Sequence, residues 1–248
     1  MKKRPTLLTI AVLVLFASSC SIVYRTVLGV RSKGKWLTNE TLIRQANRLD
    51  IPLSNLYQTD TSSLRNAILQ PYRNKIDSLK TKTIWNHEDS ALLKSWKAEI
   101  KDQLQPVQVH YFDKNGKAIY WMINCYVDPV FPKMNWNCEQ SLDVFPPRPF
   151  SPLNDKFYHD LDFFLPHLRD TANQAPSFND LPASDYYVLI LWNDIFKRPS
   201  SSLIHTIQKY NKKQKDVKIH TLYASNHNEY LWTIMDSTNR ARVMPLEN

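Results

Sequence analysis

The chain has 248 residues, of which 43% are hydrophobic and 12% aromatic, so a folded protein with a sizeable core is expected rather than a disordered one. Its three glycines form neither a G-x-G-x-x-G nor a G-x-x-x-x-G-K-[ST] pattern, which argues against the usual dinucleotide-binding enzymes, P-loop nucleotidases and protein kinases. The net charge is +9, but the densest basic cluster, Lys209 to Lys218, lies at the end of a predicted helix, where lysines suit the helix dipole. A nucleic-acid partner is therefore not expected.

The N-terminus has the layout of a secretory signal. The basic residues 2–4 precede an apolar run from Thr6 to Phe16, and small residues follow in the stretch ASSC. Ending in Cys20, this stretch resembles a bacterial lipobox. The resemblance implies a signal peptide over residues 1–19, a lipid such as palmitate on Cys20, and a tether over residues 20–36.

The alternative for this segment is an uncleaved anchor helix over Thr6 to Tyr24, close to the ~20 residues that span a bilayer. Both interpretations tether the protein to a membrane and place its folded part outside the cytoplasm. We expect a cell-envelope protein that faces the periplasm, with the membrane as one partner through Cys20.

Residues 37–248 are expected to form one globular domain that begins with helices over residues 37–105. Thr38 or Asn39 can cap a first helix that ends near Leu49. The serine pair 62–63 opens a second helix, which Pro71 should kink unless this proline marks the real start.

A third helix and a hairpin follow. Asp89 or Ser90 is expected to cap the helix, which has an apolar stripe at Leu93, Trp96, Ile100 and Leu104. Val107 to Val127 reads as two strands joined at Asn115-Gly116, the strongest short hairpin signal. The hairpin and a proline-rich segment together fill residues 106–152.

Cys125 and Cys138 lie on either side of a loop that contains two prolines. In an oxidising compartment they could form a disulfide, which would stabilise the fold by roughly 3 kcal/mol in the chain-entropy model. The alternative is two unpaired, partly buried thiols. The spacing is not C-x-x-C, so it indicates no redox motif.

The stretch from His159 to Asp170 predicts a short helix and contains five His and Asp residues. Its inward residues are expected to be Leu161, Phe164, Leu165 and Leu168. Pro166 interrupts the spacing that a metal site would need, and no H-E-x-x-H motif exists, so no metal is expected. His220 and His227 flank the end of a later strand and are expected in a solvated loop.

The last third of the chain predicts a βαβα unit. Tyr186 to Leu191 is a continuous apolar run, typical of a strand buried on both faces. Pro199 and the following serines start a helix, and Val217 to Ala224 is a second strand, parallel to the first. Asn226 or Asn228 can cap a final helix. The fold class is therefore α/β or α+β.

This part, residues 153–248, also resembles the thioredoxin superfamily between Tyr186 and Met235. The family has an apolar strand ending in Trp or Phe, then a C-x-x-C turn and a helix. With Trp192 on the family's aromatic residue, Phe196 to Pro199 stand in place of the cysteines. The resemblance implies a related scaffold without the thiolate that disulfide exchange requires. The family's closing hairpin is missing, unless the earlier hairpin substitutes for it.

The turn after Trp192 is the candidate site, because ligands favour the carboxyl ends of strands in open α/β sheets. Trp192, Asp194, Lys197 and Arg198 suit an anion or a peptide, with Arg198 and the helix N-terminus as donors. In the alternative, Trp192 and Phe196 pack in the core while the charges face water. No catalytic residue and no cofactor is indicated.

As a whole the chain resembles uncharacterised bacterial envelope lipoproteins, which implies a location but no activity. The first hypothesis is a non-catalytic, lipid-anchored binding protein with an envelope protein as a further partner. The alternatives are a thioredoxin-like protein that has lost or replaced its cysteines, and an enzyme with a site near residues 192–200. A third is a structural accessory of a membrane complex.

Overall fold

The computed structural model describes residues 35–82, 86–124, 134–148 and 159–234. These residues form one six-stranded sheet and six α-helices, which confirms the α/β fold class. The helices are α1 Asn39–Arg48, α2 Ser63–Lys80, α3 His87–Gln103, α4 Leu161–Phe164, α5 Lys197–Lys212 and α6 His227–Ile234. The strands are β1 Leu56–Thr59, β2 Gln108–Asp113, β3 Ala118–Ile123, β4 Leu168–Arg169, β5 Tyr186–Trp192 and β6 Ile219–Ser225.

Three predictions concern residues outside these ranges: the signal and tether with Cys20, the partner cysteine Cys125, and much of the proline-rich segment. Within the described ranges, no helix combines the length and the apolar character needed to cross a bilayer.

The strand order is β3-β2-β5-β6-β1-β4. β5, β6 and β1 are mutually parallel neighbours, and α5 provides the predicted crossover between the first two. The hairpin of β2 and β3 is antiparallel and joins the sheet beside β5, while β4 is an antiparallel edge strand beside β1. Trp192 and Gln58 both pair with Ser225, so the carboxyl ends of the three parallel strands meet at one edge of the sheet.

The central strand β5 is apolar throughout because helices cover both faces of the sheet. Its side chains alternate between two separate core clusters, as the pleat of a strand requires. Val188, Ile190 and Trp192 pack with residues of α1 and α5, whereas Leu189 and Leu191 pack with residues of α2 and α4. The inward residues predicted for the stretch around α4 are all buried: Leu161, Phe164, Leu165 and Leu168.

The hairpin turn is confirmed in detail. The Asp113 carboxylate accepts hydrogen bonds from the backbone N–H groups of Asn115 and Lys117, at 2.8 and 2.9 Å. Gly116 has φ +78°, a left-handed conformation that favours glycine. The side-chain hydrogen bonds and the glycine together fix where the chain reverses.

Two helix predictions need correction. Asn86, not Asp89 or Ser90, caps α3, because Asn86 and Asp89 form a reciprocal capping box in which Asp89 is the third helical residue. Pro71 lies inside α2 and does not mark its start, which is Ser63. The predicted stripe of α3 is only half-buried, since this helix packs mainly against α2.

Candidate functional site

Polar side chains gather where β5 and β6 end, and most of them are buried. The buried polar residues at these strand ends and at the start of α6 are Asn193, Asp194, Ser225, Asn226, His227, Asn228 and Glu229. His227 is not in a solvated loop, as the sequence suggested, because it is buried and its Nε2–H donates to the Lys35 carbonyl at 2.9 Å. His220 is half-buried within β6. Buried polar groups at such an edge need a structural or functional reason.

The turn after β5 is held rigidly by Asn193. Its backbone N–H donates to Ser200 Oγ and its carbonyl accepts from the same hydroxyl, both at 2.9 Å. Its side-chain oxygen accepts from Ile195 N at 2.9 Å, and its amide nitrogen donates to Asn226 Oδ1 at 3.0 Å. Asn226 in turn donates to the Pro106 carbonyl, just before β2, at 3.0 Å. The turn is therefore tied to α5 and to the neighbouring ends of β6 and β2.

A cavity of about 240 Å³ lies between this turn and the C-terminal end of α1. We call it the turn cavity; its lining includes Gln45, Arg48, Leu49, Trp192, Asp194 and Lys197. Three of the four residues singled out in the sequence thus line one cavity. Arg198 is exposed and belongs to the adjoining first turn of α5 rather than to the lining. Trp192 also packs in the core, with 1% of its surface exposed. This residue therefore both lines the cavity and belongs to the core, as the two alternative interpretations of the sequence proposed.

Two residues of the lining each have a buried polar atom with no hydrogen-bond partner within the described part of the chain. These atoms are the indole Nε1 of Trp192 and the side-chain oxygen Oε1 of Gln45. A buried donor or acceptor without a partner costs about 1–3 kcal/mol, so native proteins rarely leave one. A bound molecule with an acceptor for the indole and a donor for the amide oxygen would satisfy both.

The electrostatics of the turn cavity favour an anion. Arg48 and Lys197 contribute two positive charges against the one negative charge of Asp194. Lys197 is the first residue of α5, and Phe196, at the N-cap position, makes no side-chain capping bond. The N–H groups at a helix N-terminus carry partial positive charge and attract anions.

No known family accounts for this site. In comparisons with protein-family models, with curated proteins and with solved structures, no significant match to the chain was found. Among the residues that the structure describes, no group of three or more His, Cys, Asp or Glu side chains could hold a metal ion. Cys138 is buried with its Sγ 3.0 Å from the Asn135 carbonyl, and the disulfide with Cys125 stays a prediction.

Sequence reasoning missed a buried carboxyl group at the same edge of the sheet. Glu229 is 6% exposed, and its Oε1 accepts a hydrogen bond from Arg65 N in the first turn of α2 at 2.7 Å. It substitutes for a local cap, because Ser62 at the start of α2 has φ +71° and makes no side-chain capping bond. Burial raises the pKa of Glu229 to about 7. No local pattern could reveal this pair, which is 164 residues apart in the chain.

Proposed function

We propose that this protein is a lipid-anchored protein of the cell envelope that binds a small organic anion in the turn cavity without catalysing a reaction. The observation that carries the binding role is the indole N–H of Trp192, a residue of the cavity lining; this donor is buried and has no partner in the described residues. A carboxylate oxygen is the acceptor that this donor lacks, and ionised acceptors make the stronger hydrogen bonds.

The shape of the site supports binding rather than chemistry. The turn that forms one wall is held by the Asn193 hydrogen bonds to Ile195 and Asn226, so a ligand would lose little free energy in ordering that wall. The cavity offers two cations, one carboxylate and the start of a helix, which together can hold an anion. The Ser201 hydroxyl of the lining lies 3.2 Å from His205 Nδ1, but that nitrogen donates to the Ser201 carbonyl at 2.7 Å and is therefore not a base for the hydroxyl.

The location follows from the N-terminal sequence. A lipid on Cys20 would tether the folded part to a membrane and leave the turn cavity open to the periplasm. Labelling of cells with radioactive palmitate, with Cys20→Ala as the matched control, tests this part of the proposal: label that persists in the variant would contradict it.

The binding role is tested by NMR on the full-length protein in detergent micelles, with succinate as the probe. The indole N–H signal of Trp192, assigned from its loss in Trp192→Phe, should move on titration. The phenylalanine keeps the ring and removes the donor, so we expect at least tenfold weaker succinate binding. Trp96→Phe, on α3, is the matched control and should bind succinate normally. Equal affinity of the two variants would refute the site.

A thioredoxin-like protein that has lost its cysteines is the second candidate, and one feature of the sheet favours it. The β2–β3 hairpin lies antiparallel beside β5, on the side away from β6. The resemblance to the thioredoxin superfamily requires a hairpin in this sheet. The predicted hairpin at residues 107–127 is the segment that could take the place of the family's closing hairpin. Because Phe196 to Pro199 lack a thiol, we expect no activity in an insulin-reduction assay. Clear reduction of insulin would overturn the non-catalytic role.

A further inference from the structure

A second cavity, of about 600 Å³, lies at the opposite end of α1. We call it the polar cavity; the lining residues that matter here are Trp36, Gln58, Asp60, Thr61, Arg169 and Asn173. Its volume falls within the range of about 300–1,000 Å³ that is usual for small-molecule sites. Its lining combines polar side chains with apolar surface, so a ligand that has both polar groups and an apolar face fits it best.

The charges of the polar cavity cancel. Arg169 donates from Nη2 to Asp60 Oδ2 at 2.7 Å, and its Nη1 donates to the carbonyls of Pro166 and Leu168. No other charged side chain of the described ranges lines the cavity. The site therefore favours neither an anion nor a cation, in contrast to the turn cavity.

Several polar groups of the polar cavity are unused by the protein. The amides of Gln58 and Asn173 and the hydroxyl of Thr61 make no side-chain hydrogen bond to any described residue, and neither does Asp60 Oδ1. Gln58 is the register partner of Arg169 across β1 and β4, so both side chains leave the sheet on one face. An amide both donates and accepts, which matches a ligand hydroxyl that does the same.

Trp36 gives the polar cavity its one aromatic wall, half-buried beside these polar groups. The neighbouring backbone is clamped, because Asn228 accepts from Leu37 N at 2.8 Å and donates to Leu37 O at 3.0 Å. The indole is thus attached to a fixed segment, and its ring face offers apolar contact area at low entropic cost.

We propose that the polar cavity binds a neutral, polyhydroxylated ligand, a sugar. A sugar ring has an apolar C–H face for Trp36 and hydroxyl groups for Gln58, Asn173 and Asp60, and it carries no charge. The cavity combines these three properties. A purely apolar ligand would leave the amides and the carboxylate without partners, and an organic anion would meet Asp60 without a surplus cation.

The test uses the full-length protein in detergent micelles and three neutral disaccharides: cellobiose, maltose and N,N′-diacetylchitobiose. The indole N–H signals of Trp36 and Trp192, each assigned from its phenylalanine variant, report separately on the two cavities. At concentrations that fill a millimolar site, at least one disaccharide should move the Trp36 signal and leave the Trp192 signal in place. Gln58→Ala should weaken this binding about tenfold, since it removes a donor and an acceptor.

Gln45→Ala is the matched control, because it removes the same side chain at the other end of α1 and should leave disaccharide binding unchanged. The proposal is overturned if none of the three disaccharides moves the Trp36 signal, or if Gln58→Ala binds them as the unaltered protein does. Succinate reports on the turn cavity through Trp192, so the failure of one site is distinguishable from the failure of the other.

Discussion

The two ends of α1 border cavities of opposite character. At its C-terminal end the turn cavity is small, carries a surplus positive charge and is walled by Trp192, which is 1% exposed. At its N-terminal end the polar cavity is more than twice as large, has paired charges and is walled by the half-buried Trp36. One tryptophan is part of the core and the other is part of the surface.

One short helix separates the two cavities. α1 has ten residues, about 15 Å, so the two cavities are close in space but share no lining residue. The turn cavity has two lining residues with a buried polar atom that lacks a partner in the described part of the protein, and the polar cavity has one, Thr59, while its other open groups can be hydrated. A ligand should therefore matter more to the stability of the first cavity than of the second.

The largest expected effect separates the two tryptophans. Trp192→Ala should lower the free energy of unfolding by about 3–5 kcal/mol, because it opens a cavity inside the core cluster of β5, α1 and α5. Trp36→Ala should cost less, about 1–2 kcal/mol, since that side chain is half-buried and lies outside both core clusters. Urea denaturation followed by far-ultraviolet circular dichroism measures both. Equal losses of unfolding free energy in the two variants would mean that Trp192 and Trp36 do not differ in burial as described.

The next effect concerns pH and belongs to Glu229, the residue that follows Asn228 of the polar cavity. Burial raises the pKa of Glu229 from 4.5 to about 7, so the folded state binds the proton more tightly than the unfolded state. The contribution of Glu229 to stability should be largest below pH 4.5 and fall by about 3 kcal/mol as the pH rises to about 7, with little further change above. Burial lowers the pKa of His110, which acts in the opposite direction, so the effect of Glu229 is the difference between the unaltered protein and Glu229→Gln, which keeps an acceptor for Arg65 N.

Glu40→Gln is the control for this pH effect, because Glu40 is exposed in the first turn of α1. Denaturation midpoints measured between pH 4 and pH 8 should show the same pH dependence in Glu40→Gln as in the unaltered protein, whereas Glu229→Gln should gain stability relative to both as the pH rises from 4.5 to 7. An unchanged pH dependence in Glu229→Gln would show that Glu229 does not titrate in this range.

The sequence was most informative where the physical pattern is local. The continuous apolar run of β5, the proline and serines at the start of α5, and the Asn-Gly turn of the hairpin each act through neighbouring residues. These features predicted the parallel βαβ unit, the hairpin and the turn after Trp192 as the candidate site. The structure places a cavity at the carboxyl end of β5, and its lining includes Trp192, Asp194 and Lys197. Such strand ends are where open α/β sheets usually bind ligands.

The remaining features depend on contacts between distant segments. β1 has only four residues and follows a short 3-10 helix, so its sequence carries too little periodicity to predict a strand. Gln45 and Arg48 reach the turn cavity from a helix about 150 residues earlier in the chain. The helix that begins near Asn226 was predicted, but the burial of residues 226–229 was not, because their partners lie in distant parts of the chain: Lys35, Leu37, Arg65 and Pro106.

A smaller effect is expected from the Asn228 clamp. Asn228→Ala leaves the N–H and carbonyl groups of Leu37 without their partner, which should lower the free energy of unfolding by about 2 kcal/mol. The loss should also move the indole signal of Trp36 and leave that of Trp192 in place. Urea denaturation and the NMR spectrum of the same variant measure the two outcomes. Equal movement of both signals would show that the cavities are coupled through α1 rather than independent.

The smallest effect distinguishes two neighbouring cations at the start of α5. Lys197 and Arg198 are both exposed, so replacing either by alanine should change the free energy of unfolding by less than about 0.5 kcal/mol. Only Lys197 lines the turn cavity, so Lys197→Ala should weaken succinate binding roughly fivefold, and more at low salt than at high salt, because exposed charges are screened. Arg198→Ala should have the smaller effect, acting only through the general field at the helix start. If Arg198→Ala weakens succinate binding more than Lys197→Ala does, the anion lies over the first turn of α5, outside the cavity. In that case the anion site at the C-terminal end of α1 would be a surface site, and the turn cavity would not be the binding site.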